Sequence, residues 1–570
     1  MRQNMFRLAP STTLPALAAL LALAIACAPA PPVAEEAAPA THADLLQLFE
    51  DFRVFQEPEI VDGAPDYTAE AMERQRQELE DYKRRLHAID ISEWTVSDQI
   101  DHHLVRAEMN GLDFHHRVTR PWSRDPAFYL MSQGGAGPAM SGFRSLFRGD
   151  PPFDEAELAE YRTTLQAVPK VYEQAKSNLT EAVPDLGGIA IWAAPREARI
   201  YEGIADDLAE HHPELVADAE AARDAVLGFG AWVEENKPSW SGTAGIGKEN
   251  YDWWLRNVHL SPYGWEESRM IVEQEYNRLV TFLALEEHRN RDLPPFDIAD
   301  TPQKYADNLH EALAYVVDFL RDGEVMTVPD WVDPTDYSDP DEPPEPLPSD
   351  TSIDHKARER EILPGETHEY VGHMLDGQRL DRDDRPIRGA DRRFNMEWMR
   401  MEGWAVALEE LMMQAGVLDE RPRRGREVEY LMNISHMSLA LPDLAMHANL
   451  ITFDESRALC AALMSKGWSQ ENERMVWYEM ESNLRFPGFH TGVVVGKAHF
   501  MKLFRERAMQ LGDQFVLRDF IDEFLAGGII PISLIRWEMT GYDDEIRFLL
   551  GEDDVPNRVF DPALQLADRL

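Results

Sequence analysis

Cysteine is nearly absent from this chain, which contains two in 570 residues, Cys27 and Cys460. A fold held together by a disulfide framework is therefore excluded. If Cys27 is removed or lipidated, no intrachain disulfide can form. Cys460 lies in the apolar run of residues 457–463, and we expect it to be a small buried hydrophobic side chain.

Basic residues are also few. The 56 Lys and Arg stand against 103 Asp and Glu, which gives a formal net charge of −47. This excess of negative charge argues against a nucleic-acid partner and against broad contact with anionic lipid. It could attract cationic peptides, although a solvated acidic surface is the more common reason for such a composition.

Long hydrophobic runs are absent beyond residue 26, so no later segment is long enough to span a membrane. The one long apolar run, residues 14–26, follows Arg2 and Arg7 and ends in Ala24-Ile25-Ala26 directly before Cys27. This pattern predicts a lipoprotein signal peptide over residues 1–27, with lipid attached to Cys27. The alternative is a plain secretory signal cleaved near Ala30. In the first case we expect a lipid-anchored protein of the cell envelope (periplasm or outer membrane) that touches membrane only through this anchor.

The chain does contain a metal-binding pattern. Residues 368–373 read H-E-Y-V-G-H, and Glu402 follows 29 positions after His373. Neutral imidazole and carboxylate are zinc ligands, and three of them leave a fourth position open. We therefore predict His368, His373 and Glu402 as ligands of one Zn²⁺ per chain. Glu369 would act as the general base on a bound water and then as the acid to the leaving amine.

The spacing of these histidines is unusual. At i and i+4 they would lie about 40° apart around a helix, but at i and i+5 they lie about 140° apart. Both can reach one metal only if the turn is loosened, and a one-residue π-bulge would do so. We expect Gly372 to make this distortion easy.

Four further residues are candidates for the site. Asp443 and His447 share a helical face, so Asp443 could hold a His447 that donates to the tetrahedral intermediate; an ordinary surface pair is the alternative. Glu409 shares a face with Glu402 and could orient a ligand histidine, or be a plain surface acid. Arg485 could hold the terminal carboxylate of a peptide.

Strand-like alternation is rare and no internal repeat is found, whereas apolar residues recur at spacings of three and four through most of the chain. The predicted fold class is therefore mainly α. We expect a flexible tether at 28–42, an N-terminal helical part at 43–328, an acidic Pro-rich surface loop at 329–352 and a metal-bearing helical part at 353–570. The two helical parts are predicted to form one continuous catalytic unit.

These stretches resemble a bacterial family known as domain of unknown function 885, over most of residues 45–545. Its motifs H-E-x-x-P-G-H-H, E-G-W-A-L-Y-x-E and D-x-G-x-H are similar to residues 368–374, 402–409 and 443–447, and weaker matches lie at 245–248, 486–497 and 515–531. The resemblance implies a secreted lipoprotein and a zinc-dependent peptidase. It also implies a multi-helical, gluzincin-type zinc-peptidase architecture with a deep central cleft.

Several positions depart from the family pattern. Phe489, Val493, Val494 and Ile521 stand where relatives have polar residues, and Pro and one residue are missing from the first motif. If the replaced Tyr holds the oxyanion, His490, displaced by one position, is a possible substitute for binding substrate. These departures imply altered specificity or weak activity.

The predicted function is therefore a zinc-dependent hydrolase that cleaves peptides, with exo-acting cleavage favoured by the family resemblance. Two alternatives stay open. One is a catalytically degenerate surface lipoprotein that acts as a binding or scaffold protein, although an intact Glu369 counts against it. The other is a metal hydrolase of esters or non-peptide amides, since the same activated water serves both reactions.

Overall fold

Helices form through most of the chain, and the mainly α prediction is confirmed. The computed structural model describes residues 40–132, 135–136, 151–340, 342–347 and 352–553. Within these ranges the only strands are two short antiparallel pairs: β1 (Ile60–Val61) with β2 (Ala64–Pro65), and β3 (Met131–Ser132) with β4 (Gly135–Ala136). No described helix is both long and apolar enough to cross a membrane.

The α-helices are α1 (His42–Phe55), α2 (Ala69–His87), α3 (Val96–Phe114), α4 (Pro121–Arg124), α5 (Glu155–Asn178), α6 (Pro184–His211), α7 (Val216–Asn236), α8 (Lys248–Asn257), α9 (Trp265–Asn290), α10 (Pro302–Asp322), α11 (Ile353–Arg358), α12 (Leu363–Glu366), α13 (Leu375–Leu380), α14 (Trp398–Ala415), α15 (Gly425–His447), α16 (Phe453–Leu463), α17 (Arg474–Arg485), α18 (Phe489–Leu511), α19 (Leu517–Ala526), α20 (Ile532–Thr540) and α21 (Asp544–Leu550). Two π-helices, His115–Thr119 and Thr367–Met374, and short 3₁₀ turns at Pro126–Tyr129, Pro213–Leu215, Lys237–Ser239, Pro334–Asp336, Ser465–Gly467 and Gly512–Gln514 lie between them.

Side-chain caps fix where several helices begin. Thr68 accepts from the backbone N–H of Ala71 at the start of α2, and Thr95 does the same for Asp98 at the start of α3. Each satisfies a helix N–H that has no partner within the helix. Helix α18 instead begins after Gly488, whose φ of 85° lies in the left-handed region that glycine adopts without strain.

The described residues from Thr41 onward form one compact unit. A large hydrophobic core joins α1–α3 and α8–α10 to α13–α15 and α18–α21. A second core lies among α5–α7, α16 and α17. Both cores therefore mix residues from before and after the Pro-rich segment, because each amphipathic helix buries its apolar face against helices distant in sequence.

Helices α14 and α18 approach each other closely at two glycines. A side chain at Gly403 would collide with the backbone of Gly496, and one at Gly496 would collide with the carbonyl of Met399. The missing side chains let the two backbones touch, which fixes the position of the neighbouring Glu402.

Two predictions about individual segments can now be compared with the structure. Cys460 is buried, as predicted, with 1% of its surface exposed. In the Pro-rich segment Val332 is buried and Trp331 packs against the large core, so this part is more than a surface loop. The predicted signal peptide and Cys27 lie outside the described residues.

Candidate metal centre

The two histidines of the H-E-Y-V-G-H pattern lie on a π-helix of eight residues, Thr367–Met374. The wider turn brings residues i and i+5 to one side, and Nε2 of His368 lies 3.0 Å from Nε2 of His373. The predicted loosening of the helix is confirmed. It extends over the whole segment rather than over one inserted residue.

Gly372 serves this segment in a different way from the one predicted. Its φ is not in the left-handed region, so backbone freedom is not what the position requires. A Cβ at Gly372 would lie 2.7 Å from Cβ of Ala405 on α14. Glycine is needed here because the π-helix packs directly against the helix that carries Glu402.

Glu402 completes a cluster with the two histidines. Its Oε1 lies 3.3 Å from Nε2 of His373, and its Oε2 lies 3.6 Å from Nε2 of His368. Ligands at about 2.0–2.1 Å from a tetrahedral ion are separated by about 3.3–3.4 Å. The three measured separations of 3.0, 3.3 and 3.6 Å centre on that value, so these atoms could hold a metal ion.

A second cluster shares His368 and adds Glu409 and His436. Here Nδ1 of His368 lies 2.6 Å from Oε1 of Glu409, while Nε2 of His436 lies 4.0 Å from the same oxygen. The first distance is that of a charge-assisted hydrogen bond and is too short for two ligands of one tetrahedral ion. The geometry therefore favours the cluster with His373 and Glu402.

Glu409 is buried, with 1% of its surface exposed, and is not the surface acid of the alternative interpretation. Its two oxygens accept from Nδ1 of His368 and, at 2.8 Å, from Nδ2 of Asn433. Oδ1 of Asn433 in turn accepts from Nζ of Lys497 at 2.9 Å. With its proton on Nδ1, neutral His368 presents the lone pair of Nε2 to the cluster.

Burial and neighbouring charges shift the pKa values of the three cluster residues in different directions. Burial lowers the pKa of His368. Burial would also lower that of His373, but Glu402 outweighs it and raises the pKa. Burial would raise the pKa of Glu402, yet the two histidines outweigh it and lower the pKa to about 2. Glu402 is thus a carboxylate at neutral pH and available as a ligand.

Glu369, the predicted general base, lies next to His368 on the π-helix and is exposed. Its Oε1 lies 4.0 Å from Nη2 of Arg358. Its side chain lines the same cavity as the cluster. A carboxylate so placed can exchange protons with a molecule in the cavity.

The cavity has a volume of about 380 Å³ and is lined by residues of α11, the π-helix, α14, α15, α17 and α18. His436 lies in its wall, where its ring stacks on that of His368 with centroids 5.6 Å apart. The sequence interpretation missed this residue. No local pattern in the sequence connects His436 with residues 368–373, because its place in the wall depends on how α15 packs.

Asp443 and His447 are fully buried and do not line this cavity. Asp443 accepts from the backbone N–H of Thr491 at 3.0 Å, and Nε2 of His447 lies 2.8 Å from the carbonyl of Asn483. These bonds connect α15 to α17 and α18. The predicted contact of His447 with a reacting group does not fit this placement, and neither does the alternative of a surface pair.

Arg485 and His490 lie on different sides of the turn that joins α17 to α18. Arg485 is bound by Asp125 at 2.8 Å and by Glu481 at 2.9 Å, and it faces a separate cavity. Its predicted role with a substrate carboxylate at the metal centre does not fit. His490 does line the metal-centre cavity, where its Nε2 lies 3.2 Å from Oε2 of Glu479.

The apolar replacements at family positions are all buried. Val494 and Ile521 belong to the large core, whereas Val493 lines the cavity. Phe489 lines the cavity as well, so two of the four replacements, Phe489 and Val493, stand in the cavity wall itself.

Residues 57–284 and 367–539 match the model of a family described as bacterial protein of unknown function, DUF885. Two solved structures are similar. A proposed lipoprotein of unknown function from Shewanella oneidensis is 15% identical with a TM-score of 0.67, covering 88% of this chain and 100% of its own. A proposed lipoprotein from Colwellia psychrerythraea is 13% identical with a TM-score of 0.65, covering 90% and 100%. No curated protein matches the chain.

Proposed function

This chain belongs to the DUF885 family of bacterial proteins of unknown function, and we propose that it is a zinc-dependent peptidase. The observation that carries the proposal is the set of separations between Nε2 of His368, Nε2 of His373 and the Glu402 carboxylate. Two imidazoles and a carboxylate are also the donor set that zinc hydrolases use.

The chemistry is divided between the ion and the chain. Zinc, when bound, would lower the pKa of water and polarise a carbonyl group. Glu369 takes a proton from the attacking water while the water oxygen bonds to the carbonyl carbon. It then delivers that proton to the amine nitrogen as the C–N bond breaks. Glu409 holds His368 in the tautomer that leaves Nε2 available.

The presence of Glu369 beside His368, His373 and Glu402 favours catalysis over a purely binding role. Binding alone would need no proton acceptor beside the cluster. The proposal includes a gluzincin-type arrangement in which the cavity forms the floor of a deep cleft. Its volume of about 380 Å³ suits a short stretch of peptide, and the preference for exo-acting cleavage is taken from the family resemblance.

The proposal also includes an exported, lipid-anchored protein of the cell envelope. The small-residue run before Cys27 supports it. So do the two solved neighbours, which are themselves proposed lipoproteins.

The test compares the metal content of the purified wild type with that of Glu369→Ala and follows hydrolysis of a mixed peptide library by both. We expect about one zinc per chain in each protein and hydrolysis only by the wild type. Glu420→Ala, which removes an exposed acid of the same type, is the matched control and should keep both. A wild type without stoichiometric metal would contradict the proposal.

A further inference from the structure

We propose that a groove between α2 and α3 binds a phosphate group. The groove has a volume of about 440 Å³ and lies between the last turn of α2 and the middle of α3. No described residue lines both this groove and the cavity of the metal centre. The proposal is therefore independent of the peptidase chemistry, and neither one needs the other to hold.

The charged side chains of the groove all have one sign. Its described lining contains no Asp or Glu, but it contains five basic residues: Lys83, Arg84, His87, His102 and Arg106. This is unexpected in a chain with 103 acidic and 56 basic residues. Charges more than about 8 Å away are largely screened at physiological salt. The overall negative charge of the protein therefore does not cancel a local attraction for anions.

Two of these basic residues already have partners. Arg84 is paired with the exposed Asp81, and Nζ of Lys83 lies 3.3 Å from Oδ1 of Asp113. The same Asp113 also accepts from Nε of Arg117 at 2.6 Å, so one carboxylate is shared by two cations. These acids therefore leave no negative charge over for the rest of the groove.

Arg106 has no counter-ion. It forms no hydrogen bond or ion pair with any described residue, and its Nε is buried without an acceptor. Burial lowers the pKa of Arg106 to about 10, and no carboxylate offsets that effect. By contrast, the buried guanidinium groups of Arg388, Arg400 and Arg536 each contact a carboxylate. An unpaired cation in such a place is costly, and an anion in the groove would remove that cost.

His102 stands four positions before Arg106 on the same face of α3 and also lacks a partner on one side. Its Nε2 donates to the carbonyl of Leu86 at 3.3 Å, whereas its buried Nδ1 has no partner among the described residues. Phosphate suits both side chains. Its oxygens accept from a guanidinium in a bidentate manner. Its protonated form also carries an O–H, so it can bond to Nδ1 whether or not that nitrogen is protonated.

The groove is larger than a phosphate ion and has an apolar part formed by Leu86 and Met109. It therefore has room for an organic group attached to the phosphate. The predicted tether ends close by, because His42 at the start of α1 lies 2.9 Å from Asp101, the neighbour of His102. A lipid-anchored chain would meet phosphate from two sources, the headgroups of the membrane and soluble phosphate esters.

The first test uses the chain from residue 28, which keeps the whole compact unit but not the anchor. Melting is followed with and without inorganic phosphate, at an ionic strength held constant with chloride. Phosphate should raise the Tm of the wild type by at least about 2 °C and leave Arg106→Met unchanged. Without phosphate, Arg106→Met should melt at a higher temperature than the wild type, because an apolar side chain replaces an unpaired cation.

Two further variants define the site. Arg106→Lys keeps the charge but loses the planar fork, so its phosphate affinity should lie between those of the wild type and Arg106→Met. We expect the total difference between these two proteins to be at least about tenfold by titration calorimetry. Arg162→Met, which removes an exposed arginine of α5, is the matched control and should bind phosphate as the wild type does.

The second test separates the two sources. The same proteins are sedimented with vesicles of phosphatidylcholine alone and with vesicles that also contain phosphatidic acid. Binding of the wild type only to the second kind, lost in Arg106→Met, would identify a headgroup site. Binding of inorganic phosphate without binding to either vesicle would identify a site for soluble phosphate esters.

The proposal is overturned if neither inorganic phosphate nor phosphatidic acid binds, or if Arg106→Met binds them as the wild type does. It is also overturned if Arg106→Met is less stable than the wild type without phosphate, since the guanidinium would then already be satisfied within the fold. Metal content and peptide hydrolysis should be the same in Arg106→Met and the wild type, so the failure of either proposal is recognised separately.

Discussion

His368 donates its Nδ1 proton to Oε1 of Glu409 over 2.6 Å, and this contact connects the candidate metal centre to the protein interior. Beyond Glu409 the connection continues through Asn433 to Lys497, whose Nζ lies 2.8 Å from Glu410. Glu409, Asn433 and Lys497 are all buried. The ring of His368 is therefore oriented before any ligand binds, which lowers the cost of ordering it on binding.

Replacing Glu409 with Gln should weaken metal binding. Burial raises the pKa of Glu409, so the prediction rests on its hydrogen bonds: the amide keeps the shape of the side chain, but its NH₂ group cannot accept, and the contact with either Nδ1 of His368 or Nδ2 of Asn433 is lost. We expect about 10- to 100-fold lower zinc affinity, measured by competition with a chelator of known affinity. Glu420→Gln, an exposed acid of the next loop, should leave the affinity unchanged. Equal affinities for Glu409→Gln and wild type would mean that this contact only stabilises the fold.

The two overlapping clusters make opposite predictions for two histidines. His373→Ala should lose stoichiometric zinc, because it removes one of three ligands. His436→Ala should keep about one zinc per chain, because its Nε2 lies 4.0 Å from Glu409 and that carboxylate is already bonded to His368. Metal analysis after gel filtration, with circular dichroism to check folding, distinguishes the two. The opposite pattern would assign the metal to the cluster with Glu409 and His436.

The sequence predicted the residues of the cluster better than their surroundings. His368 and His373 could be named because their spacing is local, and the i, i+5 pair even required the altered helix that Thr367–Met374 adopts. Glu402 could be named because it opens a motif that resembles the family's. His436, Lys497 and Glu479 reach the site or its support from helices far away in the chain. Their placement depends on helix packing, which no local pattern encodes.

Asp443 and His447 illustrate the opposite error. Four positions apart, they were correctly placed on one helical face, but the sequence could not say whether that face pointed to the cavity or to the interior. Their bonds to Thr491 and Asn483 resolve this, because both partners lie on the neighbouring helices. The mainly α class was predictable from periodicity alone, since apolar spacing of three and four recurs through most of the chain.

Gly372→Ala should destabilise the protein, because its Cβ would lie 2.7 Å from Cβ of Ala405 and both side chains are in a close helix contact. We expect a loss of about 1–3 kcal/mol in the free energy of unfolding, measured by urea denaturation, together with weaker zinc binding. Gly377→Ala is the matched control. It lies in α13 with nothing within 4 Å of the added Cβ, and should be neutral or stabilising by up to about 1 kcal/mol.

The double variant Gly372→Ala with Ala405→Gly tests the cause of that loss. If the clash is responsible, removing the facing methyl should recover part of the stability and of the zinc affinity. Losses that simply add would show that Gly372 is needed for the π-helical backbone itself rather than for contact with α14.

Because of Glu545, the free energy of unfolding should depend on pH in the acidic range. Burial would raise its pKa, but His499 at 2.9 Å, Arg536 at 3.8 Å and Lys502 at 2.5 Å outweigh burial and hold the pKa well below its ordinary value. Since the folded pKa is lower than the unfolded value of about 4.3, the stabilisation is fully present above that pH. It is lost as the pH falls towards the folded pKa.

We therefore expect Glu545→Gln to lower the free energy of unfolding by about 3 kcal/mol at pH 7, because Lys502, Arg536 and His499 lose a buried carboxylate partner. The difference from wild type should narrow steadily as the pH is lowered below about 4, since Glu545 then binds a proton in the unfolded wild type while it stays ionised in the folded protein. Urea denaturation of both proteins from pH 7 to pH 3 measures it, with the exposed Glu552→Gln as a control that should track wild type throughout. A difference that stays constant across this range would mean that Glu545 stabilises the fold through packing and hydrogen-bond geometry, and that its charge contributes nothing.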